Sequence, residues 1–191
     1  STSKAELLTV ESAKGNNAKI TFSVPSDIQP GAYPFHVLCN AGLSNPRLLR
    51  VDTLPQHKEK EPNNQVAKAT EIEVPGAVSG TLPANDIDYH GFEAKAGQQL
   101  VFDLEAHRIG NAIRGVLAVA DSRGREIARS AIPASRHSQD VRLIYRFRQA
   151  GRYFVRVSER IFGGTPNRSY YLRIGELACA KSVFPLGGQR G

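Results

Sequence analysis

A chain of 191 residues with 40% hydrophobic side chains can build one large or two small cores. It contains no run of 18 apolar residues, so no membrane-spanning helix is expected. The net charge of +7 is unevenly placed: residues 121–175 carry twelve Arg against Asp121, Glu126, Asp140 and Glu159, whereas residues 1–120 are slightly acidic. That excess suits a polyanion partner such as an acidic polysaccharide. With no basic helical stripe, zinc-finger or RNA-binding signature, nucleic acid is not expected.

Strand periodicity starts early. AELLTV is a weak strand, and in KITFSVP Ile20, Phe22 and Val24 alternate with polar residues. PSDIQPG is turn chemistry. In AYPFHVLC, Tyr33, Phe35, Val37 and Cys39 share one side, and NAGLSN turns into RLLRV. Residues 1–52 therefore read as a partial immunoglobulin-like β module. About four strands are present where that sandwich needs about seven. The rest is expected upstream or from another chain, since an apolar face and a bare edge are costly.

Residues 53–69 read as a linker in which Leu54-Pro55 and Glu61-Pro62 discourage helix. Residues 70–175 then carry about eight short strands: EIEVPGAVSGTL, YHGFEA, QQLVFDLEA, GVLAVADS, REIARS, VRLIYRF, GRYFVRV and SYYLRI. Turns fall at AKAG, DSRG and QAG. The fold class is all-β, a jelly-roll-like sandwich. Its expected core is Leu100, Phe102, Leu104, Val116, Leu117, Val119, Phe147, Val155, Val157, Leu172 and Ile174.

Alternation in VRLIYRFR puts Arg142, Ile144, Arg146 and Arg148 opposite Val141, Leu143, Tyr145 and Phe147. Arg152 and Arg156 share a face across the QAG turn. Arg142, Arg146, Arg152 and Arg156 are the candidate anion-binding residues; the same alternation also suits a solubilising outer face that resists edge aggregation. Cys39 and Cys179 belong to no metal or redox motif. Two buried thiols and a Cys39–Cys179 disulfide both remain open. His36, His57, His90, His107 and His137 are scattered, and no nucleophile-base motif accompanies them. No catalytic residue is expected, and His90 is read as a surface residue.

The order E-x-E-P-N-N, then G-T-L, then N-D-I-D-Y-H-G-F, then QLVFDL, and later DVRLIYRF, AGRYFVRV and YYLRI resembles the bacterial pre-peptidase C-terminal domain over residues 59–175. Collagen-binding domains of clostridial collagenases are relatives. The resemblance implies a sandwich beside a secreted peptidase and a calcium site. Carried over, the ligands are Glu59, Glu61, Asn63 and Asn64 from the linker with Asp86 and Asp88 from the N-D-I-D turn; Asn85 is a weaker candidate. Such carboxylate and amide oxygens are the donors calcium takes. Without a metal, the same residues would form a solvated acidic linker. The relatives' collagen-gripping tyrosines find no convincing match in Tyr170 and Tyr171.

The segment GLSNPRLLRVD resembles the end, and FPLGGQRG in the tail 176–191 the start, of an immunoglobulin-like module of the kind found beside these domains in planctomycete-type surface proteins. The missing Met then reads as a slice of a larger protein. The expected function is a non-catalytic, secreted, periplasmic or cell-surface module that spaces, stabilises or targets its neighbours, with calcium stiffening the linker. The alternative is a structural subunit completed by strand pairing with a protein partner.

Overall fold

The structure is a computed structural model that describes residues 9–14, 17–21, 23–39, 42–131, 140–160, 168–179, 185 and 189. The expected strand at AELLTV and the tail segment FPLGGQRG fall largely outside these residues, as does Phe22.

Among the described residues, those before the sandwich make three two-stranded pieces. β1 (Thr9–Lys14) pairs with β2 (Asn17–Thr21), β3 (Gly31–Phe35) with β6 (Arg47–Val51), and the short β4 (Leu38–Cys39) with β5 (Gly42–Leu43). Tyr33, Phe35 and Val37 share a half-buried side, as their spacing requires. Val24, expected on the strand through Ile20, lies outside β2 and is exposed.

The sandwich begins earlier than the sequence suggests. Within the segment read as a linker, Gln56–Lys58 form β7, a parallel edge strand, and a single 3-10 turn at Val66–Lys68 leads to β8 (Thr70–Glu71). The remaining strands are β9 (Gly76–Thr81), β10 (Ile87–Ala94), β11 (Gln99–Glu105), β12 (Gly115–Ala120), β13 (Glu126–Arg129), β14 (Val141–Arg146), β15 (Gly151–Glu159) and β16 (Ser169–Gly175). They form two five-stranded sheets, ordered β13-β12-β15-β10-β8 and β14-β11-β16-β9-β7. The chain is an all-β sandwich over this region.

Period-2 alternation supplies the core. Leu100, Phe102 and Leu104 of β11 and Leu172 and Ile174 of β16 are buried together with Phe92, Leu117, Val119, Val155 and Val157 from the other sheet. Of the expected core, only Val116 is no more than half-buried. At one end Phe147 lies between aromatic rings, 4.5 Å from Tyr153, 4.9 Å from Tyr145 and 5.8 Å from Phe92 between centroids. These are tilted and edge-on arrangements that aromatic quadrupoles favour.

Candidate metal centre

Segment 59–69 leaves β7 on one sheet and reaches β8 on the other, so it bridges the two layers at one end of the sandwich. It is pinned along its length. Glu59 N–H donates to the Ser79 carbonyl at 3.0 Å, Lys60 N–H to Thr70 Oγ1 at 3.0 Å, and Tyr89 N–H to the Asn63 carbonyl at 3.0 Å. The N-D-I-D turn opposite has Asn85 in the left-handed region, φ 62°, which asparagine tolerates better than most residues.

Between these segments, oxygens of Glu59, Glu61 and Asp88 converge within 4.8 Å of one another. Glu59 Oε1 is held by Thr81, accepting from its N–H at 2.7 Å and its hydroxyl at 2.8 Å. Glu61 Oε2 accepts from Asn63 N–H at 3.0 Å. Asp88 Oδ2 accepts from the Tyr170 hydroxyl at 2.6 Å, and Asn64 Nδ2 donates to Asp86 Oδ1 at 2.5 Å. Glu61, Asp86 and Asp88 are thus each oriented through one oxygen.

Three atoms are left over. Asn63 and Asp88 are both fully buried, yet Asn63 Oδ1, Asn63 Nδ2 and Asp88 Oδ1 have no hydrogen-bond partner. Buried polar atoms are nearly always paired, because an unmet one costs about 1–3 kcal/mol. Burial pushes the Asp88 carboxyl up to about 8; Glu59, Asp86 and Glu61 add repulsion, against the pull of the Tyr170 hydrogen bond. Burial also raises Glu61. Three converging carboxylates, one of them with a buried unmet oxygen, are donors of the kind a hard cation takes, and the residues fit one.

The resemblance-derived residues therefore assemble, with Asn64 and Asp86 partnering each other at the margin. Two residues of the site were not anticipated. Tyr170 is buried on β16, and its hydroxyl reaches Asp88, Glu59 Oε2 at 3.5 Å and His90 Nε2 at 2.7 Å. His90, expected at the surface, is fully buried, and desolvation lowers it to about 4. It falls on the inward parity of β10, beside Asp88 two residues earlier. Gly80, the glycine of G-T-L, pairs with Tyr170 across the sheet. A Cβ at Gly80 would collide with the Tyr170 hydroxyl and with Glu59 Oε2.

The arginine face is not a single platform. Arg142 and Arg146 lie on β14, Arg152 and Arg156 on β15, and these strands belong to different sheets. The QAG turn crosses the sandwich instead of closing a hairpin. Three of the four are tied to carboxylates: Arg142 to Asp103 at 3.2 Å, Arg156 to Glu126 at 3.4 Å, and Arg152 to Glu71. Arg152 also stands over the Phe154 ring, 5.1 Å from its centroid.

Cys179 is an exposed free thiol, so neither a buried pair nor the Cys39–Cys179 disulfide describes it. It follows β16 beyond the packed layers. Tyr170 and Tyr171 are 1% and 3% exposed, so neither offers a ring to a ligand surface. Among the described residues no helix is long and apolar enough to cross a membrane.

No family model and no curated protein matches the chain. Among solved structures it is similar to the pre-peptidase C-terminal domain of collagenase from Bacillus anthracis, with 14% identity and a TM-score of 0.45 over 61% of this chain and 99% of that one. It is also similar to PliG of Aeromonas hydrophila, a periplasmic inhibitor of g-type lysozyme, with 14% identity and a TM-score of 0.35 over 62% of this chain and 98% of that one. The PliG of Salmonella Typhimurium matches at 17% identity and a TM-score of 0.34, over 56% and 96%.

Proposed function

We propose that the chain is a non-catalytic β-sandwich module of a larger secreted, periplasmic or cell-surface protein, and that one calcium ion at its bridging segment fastens the two sheets. Glu59, Glu61, Asn63 and Asp88 would hold the ion, with Asn64 and Asp86 at its edge. The observation that supports this most directly is the convergence of Glu59, Glu61 and Asp88 with Asp88 Oδ1 buried and without a partner; the side-chain amide of Asn63, on the same segment as the two glutamates, is also buried and unmet. Bound calcium would neutralise the mutual repulsion of the acids and supply the missing contacts. The module's work is then mechanical: it spaces, stabilises or targets the domains beside it.

Two of the described histidines are engaged structurally: His90 Nε2 pairs with the Tyr170 hydroxyl, and His36 Nδ1 meets the Ser44 carbonyl at 2.8 Å.

The test is thermal unfolding of the whole chain with calcium and with chelator. Calcium at a hundredfold excess over its dissociation constant stabilises by about 2.7 kcal/mol. A higher midpoint with calcium, lost in Asp88→Asn, is the expected result. Equal midpoints in calcium and chelator would end the metal reading.

A second reading is favoured by the exposed Leu38 (78%), Leu43 (65%) and Leu48 (36%) in the first fifty residues. These belong to two-stranded pieces too small to cover their own apolar surface. A protein partner that adds strands to them would make the chain a structural subunit of an assembly. Sedimentation of the intact chain with its native neighbours checks this.

A further inference from the structure

We infer that the outer face of the sheet containing β14, β11 and β16 is a docking surface for the segment that precedes the sandwich, and that a buried ion network there fixes β6 in one orientation. The outward residues of a sandwich strand normally meet water. On β11, Asp103 and Glu105 point outward yet are 3% and 2% exposed. Something covers them, and the contacts say what.

Asp103 is covered by arginines of the sandwich itself, Arg142 at 3.2 Å among them, whereas Glu105 and Arg173 are met by two side chains from the β6 segment. Arg50, on β6, reaches Glu105 of β11 at 3.4 Å. Asp52, one residue beyond β6, meets Arg173 of β16 at 3.0 Å, and its side chain is 2% exposed. Arg173 in turn lies 3.7 Å from Asp103. Arg108, in the single turn after β11, closes the other side against Asp103 at 3.1 Å. Each buried carboxylate has an arginine close by, although Arg50 Nε, Asp52 Oδ2, Glu105 Oε1 and Arg173 Nε make no hydrogen bond, so the pairs act through charge and a lost partner would leave a buried charge uncompensated.

The arrangement also specifies register. A one-residue slip of β6 turns Arg50 and Asp52 to its other face. A two-residue slip puts arginine where aspartate now faces Arg173, and like charges meet. Misdocked arrangements are thus disfavoured by repulsion as well as by lost attraction.

Little slack remains in the connection. Asp52 Oδ1 caps the turn by accepting from Thr53 N–H at 2.8 Å and Leu54 N–H at 3.3 Å. The Pro55 carbonyl already accepts from Ala77 N–H at 2.9 Å, at the start of the β7–β9 pairing. Because β3 pairs with β6 from Gly31↔Val51 to Phe35↔Arg47, whatever holds β6 holds β3. The β3–β6 pair and the sandwich move as one body, independently of any ion at the bridging segment.

The experiment measures residual dipolar couplings on the intact chain, in calcium and in chelator. Wild type should fit one alignment tensor for amides of Gly31–Val51 and of the sandwich strands under both conditions. The reversed variant Arg50→Glu with Asp52→Arg keeps the composition of charge but opposes like to like. It should need two tensors, while the amides of β11 and β16 keep their dispersion. Separate tensors in wild type, a single tensor in the reversed variant, or coupling seen only with calcium would each overturn the inference. Equal tensors together with equal calcium and chelator midpoints would sink the metal reading alone.

Discussion

The hydroxyl of Tyr170 lies 2.6 Å from Asp88 Oδ2, joining the middle of one sheet to the start of a strand in the other. The same oxygen sits 2.7 Å from His90 Nε2. One phenol therefore supports a buried carboxyl and a buried imidazole at the end where segment 59–69 crosses. Its own acidity is suppressed well beyond the ordinary tyrosine range, chiefly by burial, so it remains a donor.

Tyr170→Phe keeps the ring and removes the oxygen. Asp88 and His90 each lose a buried partner, which costs about 1–3 kcal/mol for each group left unmet. The expected outcome is a lower urea midpoint with an unchanged slope. The calcium-dependent rise in thermal midpoint should shrink, because Asp88 is no longer oriented. An unaltered midpoint would show that the hydroxyl carries no such load.

Gly80→Ala attacks the same site from the backbone. The added methyl meets the Tyr170 hydroxyl and Glu59 Oε2, so one of them must move. Overpacking of this kind costs about 1–3 kcal/mol. Isothermal titration with calcium should show weaker binding than wild type even where the variant is fully folded. Wild-type affinity would mean that the crowding at Gly80 has no bearing on the acids.

The sandwich's far end offers a packing test. Phe147 is fully buried among Tyr145, Tyr153 and Phe92. Phe147→Ala should cost about 3–5 kcal/mol by chemical denaturation. Ile144, on the opposite face of β14 and 36% exposed, should tolerate Ser within about half a kcal/mol. Comparable losses at the two sites would contradict the facing assigned to β14.

Glu105 gives the fold a definite pH response. Burial holds its carboxyl above the ordinary 4.5, opposed by Arg108 and Arg50. A raised folded-state value means the folded chain binds this proton more tightly than the unfolded chain does. Stability contributed by Glu105 is therefore complete below 4.5 and falls as pH rises from there through the folded value. Urea midpoints measured across that range should show the decline in wild type. Glu105→Gln should lessen it, leaving the decline of the same sign that the raised Asp88 carboxyl contributes. A decline of the same slope in the variant would assign it to another group.

Local pattern determined much of this molecule by itself. Strict alternation in QLVFDLEA, VRLIYRF and SYYLRI sets which side chains face inward, because successive strand residues point to opposite faces. Glu59, Glu61, Asn63, Asn64, Asp86 and Asp88 were legible as oxygen donors from two short motifs. What alternation cannot encode is which sheet a strand joins or what lies over its outer face. β14 and β15 are neighbours in sequence, yet their arginines are divided between two sheets because the turn between them crosses the sandwich. Asp103 and Glu105 alternate with core residues on β11, yet Asp103 is buried under arginines from other strands and turns, and Glu105 is met by Arg50 returning from before the sandwich. Tyr170 meets Asp88 from 82 positions away. Such contacts depend on pairing order and on the chain path between layers, which are long-range outcomes of burying one shared core.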